Sequence, residues 1–497
     1  MKSLNSARRL VTFFALFISF LIADYALAGA TQRFIEPLAN FTNRQAASNV
    51  LGQPNFTTNT SGSTASKFFR PLNAVVDPVS KKVFVVEQNN NRVVRFTSAA
   101  AMTTGASAEA VLGQPDFTTS AGGITQSKMS SPGDVSIDAA GRLWVADSNN
   151  QRVLRFDNAA AKANGANADA VLGQTDFVTR TAGTGANKMN NPASVFADSS
   201  GRLWVADLFN NRVLRFDNAA AKANGANADG VLGQTDFATV TFGAGANKMS
   251  EPAGVALDTG GRLYVGDANN NRILRFDAAD TKPNGANADA VFGQPDFATV
   301  TSGTTQSKLK LPQGVAIDAN NRLYVADFSN SRVLIFNSAG TAANGAPASI
   351  VLGQPDFTTG TANTGGVSAV SMNNPVSMFY DESTSSLFVA DYGNNRVLRF
   401  SAAPPTAASV SISGRVLASR KRGLANAIVY LTDSEGNARA FRTNPFGYYH
   451  FEDIPAGQTV IVTVVSKRFQ FSPQVLNISE EVTELNFVAE EQMKIFR

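Results

Sequence analysis

One tetrapeptide recurs six times at nearly even spacing, and that regularity restricts the chain to copies of a single unit arranged in a row or a ring. Val-Leu-Gly-Gln ends at Gln53, Gln114, Gln174, Gln234 and Gln354, and Val-Phe-Gly-Gln ends at Gln294. The period is about 60 residues, and self-similarity at a fixed period is the mark of a repeat architecture. A second marker, in most copies Asn-x-Arg-(Val/Ile)-(Val/Leu)-(Arg/Ile)-Phe, places arginines at 92, 152, 212, 272, 332 and 396.

Inside one unit the text reads Pro192–Asp198, Gly201–Asp207, Asn211–Phe216 and Asp229–Gln234. Four short apolar-rich segments separated by turn residues predict an antiparallel meander. Asn-Gly recurs between the third and fourth segments at 164–165, 224–225, 284–285 and 344–345, a turn dipeptide in a connection longer than two residues. Four-stranded units arranged radially make a β-propeller. The phase also matters. A lone fourth segment, Asn49–Gln53, precedes every first one, and a third segment, Asn395–Phe400, closes the series with no fourth after it. If Asn49–Gln53 completes the sheet of residues 375–400, six blades close into a ring with protected edges.

The motifs Pro-x-(Gly)-Val-x-x-Asp, Gly-x-Leu-(Tyr/Trp)-Val-Ala-Asp and Asn-x-Arg-Val resemble the NHL repeat, most clearly at Pro252–Phe276 and Pro312–Phe336. The resemblance spans roughly residues 49–400 and implies a fold more than an activity, because such propellers include protein- and RNA-binding modules as well as lyases and lactonase-like enzymes. The unit here exceeds the usual 40–45 residues of such a blade. The excess lies between the Gln of one unit and the Pro of the next: 17 residues in five copies and 20 in the sixth, Gln354 to Pro375. In a meander the loops after strands two and four share one rim, so all six insertions are expected on one face.

That face supplies the candidate ligand-contacting residues Lys67, Lys128, Lys188, Lys248 and Lys308, with Asn149, Asn210, Asn270, Asn330 and Asn394 on the short loops. An acid stands five residues before the marker arginine in every unit: Glu87–Arg92, Asp147–Arg152, Asp207–Arg212, Asp267–Arg272, Asp327–Arg332 and Asp391–Arg396. Repetition in all six suits structural braces, since catalysis requires unlike groups converging at one point. Asp-Phe pairs at 116–117, 176–177, 236–237, 296–297 and 356–357 are expected to cap a turn and anchor the insertion. Trp144, Trp204, Tyr264, Tyr324, Phe84 and Phe388 share one register and are expected between blades.

Composition excludes much chemistry. There is no cysteine, and His450 is the only histidine. Disulfides, thiolate sites and two-histidine motifs are therefore absent, and so are the histidines an NHL-type lyase would need. No cofactor is called for by any motif. Calcium in the channel, implied by enzymes on related propellers, has no local Asp-x-Asp-x-Asp-Gly loop to support it. Beyond residue 28 there are 40 basic and 38 acidic side chains, too even a balance for a nucleic-acid binder.

Residues 1–28 read as a signal peptide: basic to Arg9, apolar from Leu10 to Ala23, and Ala26-Leu-Ala28 before the cleavage point. The mature chain is expected outside the cytoplasm, secreted or in the cell envelope, without a membrane span. After a Pro/Ala linker at 401–409, segments 410–417, 427–432, 447–451, 460–465 and 485–488 predict a small sandwich, with a tail at 489–497. Thr443–Gly457 resembles the carboxypeptidase regulatory-like, or transthyretin-like, domain, whose relatives include carbohydrate binders. The expectation is an all-β protein, a six-bladed β-propeller followed by a β-sandwich. Its expected function is non-catalytic binding of an extracellular or envelope protein or glycan. The alternatives are a calcium-assisted lactonase- or lyase-like site in the channel, and carbohydrate binding through the sandwich.

Overall fold

A computed structural model describes residues 41–402, 409–419, 421–433, 438–455, 458–478 and 480–490. The expected signal segment and most of the expected linker and tail lie outside the described residues. Those described are all-β apart from single turns of 3₁₀ helix, and they fall into two compact units, the first of them Asn40–Ala402.

That unit holds six four-stranded antiparallel sheets. In the third, Pro192–Ala197, Leu203–Asp207, Arg212–Phe216 and Gly230–Leu232 follow one another as neighbours. The first strands of successive sheets touch in cyclic order, with Pro71–Val76 meeting both Asp134–Ile137 and Pro375–Asp381, so the sheets form the closed ring of a six-bladed β-propeller. Alternation does not mark these strands because both faces are covered. Leu203–Asp207 is buried at every position, and each inter-blade cluster takes side chains from two sheets, as Trp144 does with Val205 and Leu214.

The sixth sheet draws its outer strand from the beginning of the chain. Asn49–Leu51 pairs with Arg396–Ser401, joining Val50 to Leu398. The expected strand ran to Gln53, but Gly52 sits at φ +80°, turning the backbone out of the ladder. Gln53 then donates from Nε2 to the carbonyls of Asn395 and Thr60, both at 2.9 Å.

The Asn-Gly dipeptides have a purpose beyond turning the chain. In the second blade Asn164 Oδ1 accepts from Val111 N at 3.0 Å, and Gly165 N donates to Val111 O at 3.0 Å, satisfying the outer edge of the preceding sheet. The same pair of bonds covers Val171, Val231 and Val291. Asn43 and Arg44 do it for Val351, and Thr104 and Gly105 for Val50. Six sheet edges that would otherwise template further pairing are thus closed locally.

The second unit contains a three-stranded sheet and a four-stranded one over a shared core that includes Ile412, Val429, Tyr449, Phe451 and Val462. Two of its strands, Ala438–Arg442 and Gln474–Ile478, escape sequence reading because they are largely exposed and carry no clear apolar alternation. The expected linker also begins too early. Ser401 pairs with Ser386 and Ala402 is buried, while Ser409 already opens the strand to Leu417.

Deleting residues 29–56 removes the outer strand of the sixth sheet and should leave an aggregating or markedly less stable protein. Deleting residues 403–497 should leave a soluble propeller whose calorimetric melting temperature lies close to that of the full chain. Equal loss in both truncations would contradict the ring described here.

Candidate functional site

The insertions emerge on one rim, and six buried charge clusters hold them there. In the third blade Asp207 ends the second strand and Arg212 begins the third, with no solvent access to either. Arg212 Nε donates to Asp207 Oδ2 at 2.8 Å. Its terminal nitrogens donate to the carbonyls of Thr184 and Lys188 in the insertion before the blade, and to that of Phe237 in the insertion after it. Asp207 Oδ1 accepts from Asn190 N at 2.6 Å, and Asn210 Nδ2 bridges Asp207 Oδ2 and Gly183 O. One guanidinium therefore ties two successive loops to a blade.

The ion pair repeats as Glu87–Arg92, Asp147–Arg152, Asp267–Arg272, Asp327–Arg332 and Asp391–Arg396, each at 2.7–2.8 Å and wholly buried. Arg396 Nη1 reaches the carbonyl of Phe56, so the last blade grips a loop from the start of the chain. Burial pushes the Asp207 carboxyl up and the Arg212 charge opposes it. A buried ion with every hydrogen bond filled is costly to orphan.

Four residues expected to meet ligand are corrected by this geometry. Asn210, Asn270, Asn330 and Asn394 are buried and donate to the brace carboxylates at 2.8 Å, so they support the loops from below. In the second blade that position is Asn150, whereas Asn149 is exposed and faces the channel mouth. The lysines do not converge. Lys128, Lys188 and Lys308 each lie 3.1–3.5 Å from the glutamine of their own unit, and Lys248 donates to Thr241 Oγ1 at 2.8 Å. Lys67 is half-buried in its own loop, with Gly62 against its side chain. Each insertion also has its turn: Asp116 Oδ1 accepts from the N–H groups of Thr118 and Thr119, and donors from both threonines hold its carboxyl at about 2.

At the channel waist the repeat breaks. The equivalent positions are Asn73, Asp134, Ser194, Gly254, Gly314 and Ser377, with cavities of ≈ 340 Å³ on either side. A Cβ on Gly254 would lie 2.6 Å from Gln313 O, which accounts for glycine where the strands crowd. Asp134, 4% exposed, accepts from Asn73 Nδ2 and Val135 N on Oδ1, and from Ser194 Oγ and Val195 N on Oδ2. Desolvation pushes its carboxyl up to about 6. The four donors leave this carboxylate occupied as a clamp across three blades. Among the described residues no group of three or more His, Cys, Asp or Glu is placed to hold a metal ion.

The rim has a second irregular feature, which the motifs did not reveal. Six large hydrophobic side chains of the propeller are exposed, and five of them, Val178, Phe209, Val240, Phe242 and Val300, stand on insertions or on the short loop of the third blade. Val79 alone lies on the opposite rim. The signal for them was available as departure from the repeat: Phe209 replaces Asn149 and Asn269, and Phe242 replaces Ala182 and Ser302. In the sandwich His450 is exposed beside Glu452, with Tyr449 and Phe451 buried on the other face.

With this geometry in place, comparison with known proteins identifies NHL repeats at residues 129–156, 249–276 and 309–336. The matched stretches lie in the second, fourth and fifth blades of the six-bladed β-propeller. No curated protein matches the sequence. Among solved structures, a streptogramin B lyase is 12% identical over 71% of this chain and 98% of its own, with a TM-score of 0.39. A structural genomics protein of unknown function from Bacteroides thetaiotaomicron is 16% identical over 71% of this chain and 75% of its own, with a TM-score of 0.46. Similarity this distant carries nothing about activity. No helix among the described residues is long and apolar enough to cross a membrane.

Arg212→Met should lower unfolding free energy by about 3–5 kcal/mol, read by denaturant titration, because it strands a buried carboxylate. Phe209→Ala should stay within about 0.5 kcal/mol of the parent, as an exposed side chain off any support. The pH response of Asp134 has a definite sign. A carboxyl raised from 3.8 to about 6 on folding favours the native state at low pH, and that contribution is lost as pH rises from about 4 to beyond 6. Asp134→Asn should therefore flatten the stability curve across that interval, measured as melting temperature against pH. An unchanged slope would contradict the assignment.

Proposed function

We propose that this protein is an exported, non-catalytic recognition module that binds a protein or glycan on its insertion-loop rim. The observation that carries the reading is the one-sided distribution of exposed apolar side chains. Single apolar residues scattered over a surface are ordinary, whereas a cluster on one face marks an interaction site. Val178 is 68% exposed and Phe242 75%, on loops whose backbones the buried braces hold in place. Side chains held out in this way on a fixed frame lose little freedom on binding. The signal segment supports export, and the sandwich is proposed as a carboxypeptidase regulatory-like accessory module without peptidase activity.

A calcium-assisted lactonase- or lyase-like site would have to use the channel, where Asp134 is the carboxylate at the waist. It predicts a calcium-dependent rise in melting temperature that EDTA abolishes, since a ligand bound only by the folded state stabilises it. Carbohydrate binding by the sandwich is favoured by one feature, the half-exposed ring of Tyr448 stacked by the Arg415 guanidinium at 4.5 Å. Peptide and glycan arrays probed with the mature chain separate these readings. Signal on the wild type that a Val178→Ser, Phe242→Ser double variant loses, with Val79→Ser retaining it, is the expected result. Silence on both arrays, or signal indifferent to the rim substitutions, would overturn the rim assignment.

A further inference from the structure

In a sixfold repeat, what all units share is explained by the frame, so the residues that depart together in one place are the informative ones. Three such departures line a single pocket. Phe209 stands where the other blades carry Asn89, Asn149, Asn269, Ser329 and Gly393. Phe242 stands where the other insertions carry Ser61, Gly122, Ala182, Ser302 and Ala362. Glu251 stands where the others carry Arg70, Ser131, Asn191, Leu311 and Asn374. With Asn211, Ser250 and Asn269 they line an open cleft of ≈ 230 Å³.

The frame sets the geometry and the departures set the chemistry. The backbone before each blade's proline is left-handed in all six units, φ 53° at Glu251 and 46–59° in the others. In the fourth unit Asn211 Oδ1 fixes it by accepting from Glu251 N at 3.0 Å, while Asn211 Nδ2 donates to Val240 O two residues before Phe242. One buried side chain thus registers Glu251 against the loop that carries Phe242. Glu251 is the only charged residue lining the cavity, and its carboxylate makes no ion pair among the described residues. Lys248, nearby in sequence, turns to Thr241 within its own loop.

A cavity smaller than the roughly 300 Å³ at which small-molecule sites begin suits one inserted side chain better than a whole metabolite. Two phenyl rings, Phe209 at 50% and Phe242 at 75% exposure, offer apolar walls and π faces, which attract a guanidinium or ammonium and cover its methylene stem. A carboxylate without a counter-charge completes the complement. We infer that the pocket between Phe209 and Phe242 anchors an arginine or lysine side chain of an extended protein segment, with the charge on Glu251. This rests on reading the rim as the binding face, and it commits that face to a protein ligand carrying a basic anchor residue.

The test is selection of random linear peptides displayed on phage against the full mature chain, followed by titration of the synthetic winners. Enrichment of arginine or lysine beside apolar residues is expected. Glu251→Gln and Phe242→Ala should each weaken the winners by about tenfold or more at low salt. The Glu251→Gln loss should shrink as ionic strength rises. Melting temperatures of both variants should match the wild type, which separates a lost contact from a lost fold. Winners without a basic residue, winners indifferent to Glu251→Gln, or failure to select any peptide would overturn the pocket assignment. Ligands from the arrays that depend on Val178 and Val300 but not on Glu251 would leave the rim reading intact and reject this pocket alone.

Discussion

Each blade depends on a carboxylate and a guanidinium that meet with no access to water. Asp207 and Arg212 are neighbours across the turn between two strands, yet most of their hydrogen bonds go to the insertions on either side. A loop of 17 residues rich in Thr, Gly, Ala and Ser is fixed by apolar contact at few points, such as Phe177 and Met189 in the insertion before the third blade. Its backbone carbonyls must find donors, and a buried arginine is the densest supply of donors a side chain offers. The pair therefore sets the shape of the rim as much as it holds the blade. Because each arginine binds the loops before and after its own sheet, order passes around the ring from blade to blade, including across the junction where Arg396 holds Phe56 O.

Much of the fold was legible because the repeat supplied six readings of each position. An apolar run such as Leu203–Asp207 has no alternation and taken alone would not distinguish a buried strand from another buried element. Recurrence with flanking turn residues resolves it. The same redundancy pointed to Asp207 and Arg212 as frame. It misled for Asn210, which looked like a loop residue by composition while burial against Asp207 turns it inward. Sequence spacing locates a side chain along the backbone but not the side of the loop it faces. The sandwich was read less completely, since Ala438–Arg442 is exposed throughout and reads as a polar connection.

The candidate site was less legible for the opposite reason. The residues proposed to meet a ligand are ones the repeat does not share, and each is seen once. Asp134 differs from its counterparts Ser194 and Gly254 at the start of a first strand, but its partners, Asn73 and Ser194, come from neighbouring blades and emerge only when the ring is closed. Phe209 and Phe242 lie 33 positions apart in different loops, and nothing in the linear text joins them. They share a cavity because the third blade's short loop and the insertion that follows it rise on the same rim.

In the proposed function labour is divided: shared residues build the frame and unshared ones on one rim meet the ligand. That division is tested most directly by a saturation scan of residues 41–402 scored twice, once for abundance of folded protein and once for ligand capture. Substitutions at the six acid, arginine and buried asparagine positions should depress abundance in every blade, while those at Phe209, Phe242 and Glu251 should depress capture with abundance intact. Loss of capture at Asp207 or Arg212 in protein that remains fully abundant would contradict that division.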